Sequence, residues 1–392
     1  MIVGIARSRQ VALALTAVLA AAAACQARDE EPVARPGPPA ATAATAAGPR
    51  AFTLVATGDV LPHTSVIEQA RFDAGGLGHD FVPMFAGVAP VVSRADLALC
   101  HMETVFGENG RYSGDRVFRS PPEIAQGLAD TGYDSCSTAS EHTLDDGTRG
   151  IRRTLDALDR AGLRHAGSAR TVEEALTVTI LPAGTARVAH LAYTLGPRGH
   201  RRPPAGQPWP VNLIDESRIL ADAQTARRAG ADVVVLSLHW GTEWQDQPDQ
   251  QQLSLARTLT AATTGGRPDI DLIVGTHAHV PQAYEKVNGT WVIYGMGNQV
   301  AGQMTNRRRA PDPRANQSTI GRFTFAPPAR PGGRWEVTKA EYIPQLFDID
   351  AGRVVNLNTA LAQGADVTGV RERIQQVVLG RGAAKDGLVM GE

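Results

Sequence analysis

Three cysteines in 392 residues are too few for a disulfide scaffold, so the chain must hold itself together with a hydrophobic core. An excess of either charge is also missing, with 39 basic and 40 acidic residues giving a net charge of -1. No basic stripe runs along any segment, and the one block, Arg307-Arg308-Arg309, is too short for a nucleic-acid surface. Nucleic acid is therefore not an expected partner. The absence of an internal repeat excludes solenoids and propellers. The apolar run nearest the start, Val11 to Ala24, falls short of the roughly 20 residues that a spanning helix needs.

That run reads instead as an export signal, with Arg7 and Arg9 ahead of it and Ala22-Ala23-Ala24-Cys25 at its end. The last four residues resemble a bacterial lipoprotein cleavage box. The resemblance implies lipid on Cys25 and a mature protein anchored to a membrane at the cell surface; cleavage after Ala24, giving a secreted protein, is the alternative. Residues 26–50 are rich in Ala, Pro and Thr without an apolar period, the composition of a tether. The expected division is a signal over 1–25, the tether, a folded domain over 51–350 and a C-terminal extension over 351–392. Cys100 and Cys136 then remain as an even pair. They form a disulfide if their strands are neighbours, and stay as two buried thiols otherwise.

Strand and helix patterns alternate through the domain, which predicts an α/β fold with a mostly parallel sheet covered by helices. Leu54 to Ala56, Val233 to Leu238 and Ile270 to Val274 are nearly continuous apolar runs, as strands buried on both faces require. Helices are expected near 120–130, with Ser120 as N-cap, and near 150–161, 215–229, 250–261 and 368–379. Residues 319–325 and 334–342 alternate like exposed antiparallel strands, and residues 302–317 read as a mobile loop.

Three of the apolar runs stop on residues that bind metals: Gly58-Asp59, His239-Trp240-Gly241 and Gly275-Thr276-His277-Ala278-His279. Groups just past strand ends sit on rigid supports at the sheet edge where α/β proteins bind ligands. Residues two apart on extended chain face the same way, so His277 and His279 can converge. Carboxylates and imidazoles together suit two divalent ions, Mn, Zn or Fe, in a hydrolase.

These motifs, with Asp96 to Thr104, Glu141 to Gly147 and Tyr294-Gly295-Met296-Gly297-Asn298, fall in an order that resembles the CapA family of capsule (poly-γ-glutamate) synthesis proteins. That family looks related to calcineurin-like metallophosphoesterases. The resemblance covers roughly residues 52–345 and implies a layered sheet core flanked by helices. It also implies Asp59, Glu103, His239, His277 and His279 as metal ligands and His142 as the catalytic histidine. Glu141 stands where the family has Asn and offers a charged ligand instead, and His101 likewise replaces an Asn.

The implied function is a surface-anchored, metal-dependent phosphoesterase-type hydrolase acting on a phosphoester or on a capsule or envelope polymer. A non-catalytic polymer-binding or export accessory protein with a retained metal site is the second reading, and a polyglutamate transferase or amidohydrolase the third. Around the centre, His63, His101, Asn298 and Arg119 are candidates for contacts to the ligands or substrate. Arg116 is a weaker one, Asp145 and Asp146 are expected to make a turn and cap the next helix, and Trp240 and Trp244 are expected to wall the site or pack on the sheet edge.

Overall fold

Alternation along the strands builds two sheets, not one. In the computed structural model, which describes residues 48–197, 202–330 and 332–392, Leu54 and Ala56 point into a core between sheets while Val55 points the other way. Val233 and Val235 face that same inner core, and Val234 and Leu236 face outward. This is the period of two expected of strands, and with both faces covered it explains why the runs are apolar throughout. The expected export signal, Cys25 and the tether up to residue 47 lie outside the described residues.

The first sheet runs in the order Arg353–Asn356, Glu336–Asp348, Gln317–Ala326, Phe52–Leu61, Leu97–Met102, Ser135–Ser137, Arg164–Ala166. From Phe52–Leu61 onward the pairs are parallel, and on the other side they are antiparallel. Asn298–Ala301 joins Phe52–Leu61 from Asp59 onward. The second sheet runs Tyr284–Val287, Thr290–Ile293, Leu272–Thr276, Val233–His239, Ala186–Thr194, Thr179–Ala183. Its inner strands are parallel and both edges antiparallel.

Helices cover the outer faces. Gly147–Arg160 buries Ile151, Leu155 and Leu158 at helical spacing on the first sheet, each worth about 1.5–3 kcal/mol. Glu216–Arg228 and Gln250–Ala261 bury Ile219, Ala223 and Leu259 on the second. Their starts are set by Asp215, which accepts from the Arg218 N–H, and by a capping box between Asp249 and Gln252. The layers are thus helix, sheet, sheet, helix. Residues 351–392 belong to this packing: Arg353–Asn356 and Leu388–Met390 are strands of the first sheet, and Ile374 and Val378 of helix Thr368–Val378 join the inner core.

Three expectations are corrected. The helix near 120–130 begins at Ile124, because Ser120 ends the short strand Phe118–Ser120 and bonds the Thr104 hydroxyl at 2.6 Å, so it caps nothing. The strands Gln317–Ala326 and Glu336–Asp348 are antiparallel as expected, and Glu336, Thr338 and Lys339 are exposed, but Ile320, Phe323 and Phe325 of the first are fully buried. Residues 302–317 are held in place: Arg314 reaches Asp246 at 3.1 Å, Asn316 Nδ2 donates to the Ala301 carbonyl at 3.0 Å, and Thr305 bridges to Pro311. Cys100 and Cys136 lie directly opposite on parallel neighbours, 4.4 Å apart at Cα, and are disulfide-bonded.

Candidate metal centre

The carboxyl ends of strands from both sheets meet at one place. Asp59 sits where Phe52–Leu61 loses regular register with both of its parallel neighbours. The irregularity depends on Gly58, where a Cβ would meet the Gly297 carbonyl oxygen at 1.8 Å. Gly297 can therefore accept the Asp59 N–H at 3.0 Å, which draws Asn298 alongside Asp59. His101 lies opposite Asp59 on the next strand, with Ser137 opposite His101 in turn and its hydroxyl 2.7 Å from Nδ1. Glu103 follows one residue past that strand's end. From the second sheet, Val233–His239 ends on His239 and Leu272–Thr276 runs into His277 and His279. The His277 N–H lies 3.3 Å from an Asp59 oxygen.

The loop after Ser135–Ser137 supplies the rest. Ser140 Oγ donates to the Glu103 carbonyl at 2.5 Å and accepts the His142 N–H at 2.9 Å, tying two site segments together. His142 Nδ1 donates to Asp145 Oδ2 at 2.9 Å, and Asp145 also accepts the Phe118 N–H at 2.6 Å. Nε2 of His142 is the nitrogen left for chemistry. Glu141 enters between two imidazoles, in close contact with His239 Nε2 and 3.2 Å from His277 Nδ1.

Without an ion the electrostatics do not balance. His101 Nε2 and Glu141 Oε1 are buried with no hydrogen bond, an arrangement that costs about 1–3 kcal/mol per group and calls for an explanation. Burial pushes the Asp59 pKa up to about 8, with His277 opposing and Glu141 adding to the rise. Burial works against the charge on His277, yet Glu141 beside it holds that pKa up to about 9. Glu141 is also penalised by burial, but His277 and His239 keep it well below the usual carboxylate range. Burial pushes His239 down to about 4 and His101 well below its ordinary value. A divalent ion would satisfy both orphaned atoms and favour the deprotonated ligands together.

Ligand atoms of Asp59, Glu103 and His279 lie within 4.8 Å of one another, as do those of Glu141, His239 and His277; of Asp59, His101 and His239; and of Glu103, Glu141 and His142. The donor set therefore fits divalent ions. Asn298 orients one ligand. Its Nδ2 donates to the Ala315 carbonyl at 2.9 Å, which directs Oδ1 to accept from His279 Nδ1 at 3.0 Å. His277, His279 and Trp244 hold positive φ values of 90°, 59° and 69°. Strained backbone of this kind concentrates at functional sites.

Asp59, His101, Glu103, Glu141, His142, His239, His277, His279 and Asn298 thus come together, and other candidates lie to the side. His63 caps the helix Thr64–Asp73, and its Nδ1 accepts the Gly302 N–H at 3.1 Å while burial pushes its pKa down to about 4. Arg119 pairs with Asp146 at 3.0 Å, and Arg116 is exposed. Trp240 packs on Tyr294 and donates to its carbonyl, whereas Trp244 lies 5.9 Å from the His279 ring. Asp146 takes the N-cap position of Gly147–Arg160 as expected, but its side chain makes no cap bond, as is also so for His63; it binds Arg119 and Arg153 instead, while Asp145 holds His142. Glu243 was not anticipated. Its carboxylate joins Glu141 and His279, and its sequence signal is an acid four residues beyond a strand-end histidine.

Fold and cluster together define a class, a two-sheet α/β sandwich with a candidate metal centre at its strand ends. The model of the bacterial capsule synthesis protein PGA_cap matches residues 53–303, and the chain belongs to that family. It is similar to the capsule biosynthesis protein CapA of Bacillus anthracis, 23% identical over 265 residues that cover 66% of this chain and 62% of the relative. It is also similar to the PGA biosynthesis protein CapA of Bacillus subtilis, 26% identical over 231 residues and 58% of each chain. The chain thus spans about three fifths of the length of these relatives. Among solved structures it resembles the calcineurin-like phosphoesterase YfkN of Bacillus subtilis, with a TM-score of 0.43 and 14% identity over 83% of this chain and 98% of that one. A putative 5'-nucleotidase from Staphylococcus aureus matches with a TM-score of 0.44 and 15% identity, over 75% and 54%.

Proposed function

We propose that this chain is a metal-dependent hydrolase of phosphoester type, working on a capsule or other cell-envelope polymer. The observation that carries the reading is the buried set of carboxylates and imidazoles from both sheets, with His101 Nε2 and Glu141 Oε1 left without partners. Asp59, Glu103, Glu141, His239, His277 and His279 would hold two divalent ions, Mn, Zn or Fe. When bound, such ions supply Lewis acidity at the reacting phosphorus and its oxygens.

The chain's own residues do the rest. The three carboxylates would offset the charge of the ions, and Asn298 fixes the His279 ring through Nδ1. Asp145 accepts from the Nδ1–H of His142 and would stabilise the imidazolium form; that form can give its Nε2 proton to a leaving oxygen and is left as the neutral Nδ1–H tautomer. Export and a lipid anchor on Cys25 belong to the same proposal. The Cys100–Cys136 disulfide supports it, because such bonds persist in oxidising compartments.

Metal analysis of the purified chain, followed by turnover of p-nitrophenyl phosphate with Mn, Zn and Fe added separately, tests the reading. Bound metal with phosphoester turnover is the expected result. Bound metal without turnover favours the accessory-protein reading, and release of glutamate-containing products favours amide-bond chemistry.

A further inference from the structure

We propose that Glu243 is the entry ligand of the metal centre: with Glu141 and His279 it forms an outer cation position from which an ion passes to the inner one. The inference rests on the metal-centre reading above. Asp59, His101, Glu103, Glu141, His142, His239 and His279 are all buried, and only His277 and Glu243 of the cluster retain partial exposure. The open side of the centre is therefore the Glu243 side.

Two groups share His279, one inner with Asp59 and Glu103, and one outer with Glu141 and Glu243. Nδ1 of His279 hydrogen-bonds Asn298 at 3.0 Å and lies 4.0 Å from Asp59 Oδ2. The one imidazole thus stands between the two positions. Glu141 Oε1 is buried, has no hydrogen bond and is available to the outer position. Glu243 and Glu141 with His279 would hold an ion at the outer position, and Asp59 and Glu103 with the same His279 would hold it at the inner one. The backbone maintains the spacing this requires, because the Trp244 N–H donates to the Ala278 carbonyl at 2.9 Å and ties the Glu243 loop to the histidine loop.

A partly exposed carboxylate at the mouth raises the local concentration of cations and with it their rate of capture. The test uses the full chain stripped of metal with a chelator and mixed with Co(II) in a stopped-flow instrument, reading the visible absorbance of bound cobalt. Glu243→Gln is expected to slow uptake by about tenfold and to leave the final equivalents of cobalt unchanged; Glu243→Asp, which keeps the charge, restores most of the rate. An unchanged uptake rate in Glu243→Gln overturns the proposal. So does the loss of an equivalent at equilibrium, which would make Glu243 a resident ligand. If the unsubstituted chain takes up no cobalt, the metal-centre reading fails first and this one with it. Equal melting temperatures of the metal-free proteins confirm that the comparison is between folded chains.

Discussion

His190 and His101 are equally buried, yet their second nitrogens have different fates. His190 hydrogen-bonds Ser135 and Ser237, each at 2.9 Å, so both nitrogens are satisfied and burial simply keeps it neutral, with a pKa of about 4. His101 has Ser137 on Nδ1 and no hydrogen bond on Nε2, which lies 3.7 Å from Asp59 Oδ1. The first is a core histidine and the second is set up for a ligand role. His277→Ala and His279→Ala are each expected to lower bound metal and abolish hydrolysis while the circular dichroism spectrum stays the same. Asp59→Asn should act alike, since the amide keeps the shape and loses the charge that offsets a dication. Glu141→Asn removes a negative charge from between His239 and His277, so metal should bind more weakly but pull harder on a phosphoryl oxygen. The expected outcome is a lower metal affinity by titration and a several-fold higher rate with p-nitrophenyl phosphate at saturating metal. A fall in both would make Glu141 an indispensable part of the site. His239, His277 and Asp59 were legible in the sequence because each ends an apolar run. Asp145 was not, because Asp145-Asp146 ahead of Gly147 reads as a turn and its bond to His142 depends on how that turn is folded. Glu243 was hidden for the same reason, in a loop without period.

Elements whose patterns were strong came out close to their expected limits. Helix Gln250–Ala261 has the expected bounds and Glu216–Arg228 is within a residue of them at each end. Where the pattern misled, a tertiary contact had overridden it: Ser120 followed by Pro has the chemistry of a helix start, but its hydroxyl serves Thr104. The layering of two sheets was expected from the family resemblance but was not legible in the periodicity, because strands with both faces apolar look the same whether a helix or another sheet covers them. The pairing of Cys100 with Cys136 likewise depended on which strands are neighbours. The bond closes a loop with a sequence separation of 36, for which a chain-entropy model gives about 3–4 kcal/mol. Replacing both cysteines by serine should lower the urea midpoint by a corresponding amount, and a thiol assay on the denatured, unreduced chain should find neither Cys100 nor Cys136 free.

Across the whole molecule, the buried ionisable groups give the metal-free protein a defined pH response. His63, His190 and His239 are pushed down to about 4, so between about pH 4 and 6.5 the unfolded chain binds more protons at these sites than the folded one. Stability then rises with pH. Asp59 at about 8 and His277 at about 9 act in the opposite sense. Asp59 holds its proton in the folded state between about pH 4 and 8, and His277 between about pH 6.5 and 9, after the unfolded chain has released it; below pH 6.5 the three histidines outweigh Asp59, and above it stability falls. Urea melts of the metal-free protein should therefore show a maximum near pH 6.5. Added metal should flatten the alkaline side, because bound ions keep Asp59 and His277 deprotonated in the native state.

Asp59, His101, Glu103 and Glu141 stand on strands and loops of the first sheet, and His239, His277 and His279 on those of the second. An ion held by both sets would be a clasp across the seam of the sandwich. Chelation should therefore be felt far from the centre. Amide hydrogen exchange in Val233–His239 and Phe52–Leu61, strands with no path to solvent while the clasp is closed, should quicken together when metal is removed and slow together when it is returned.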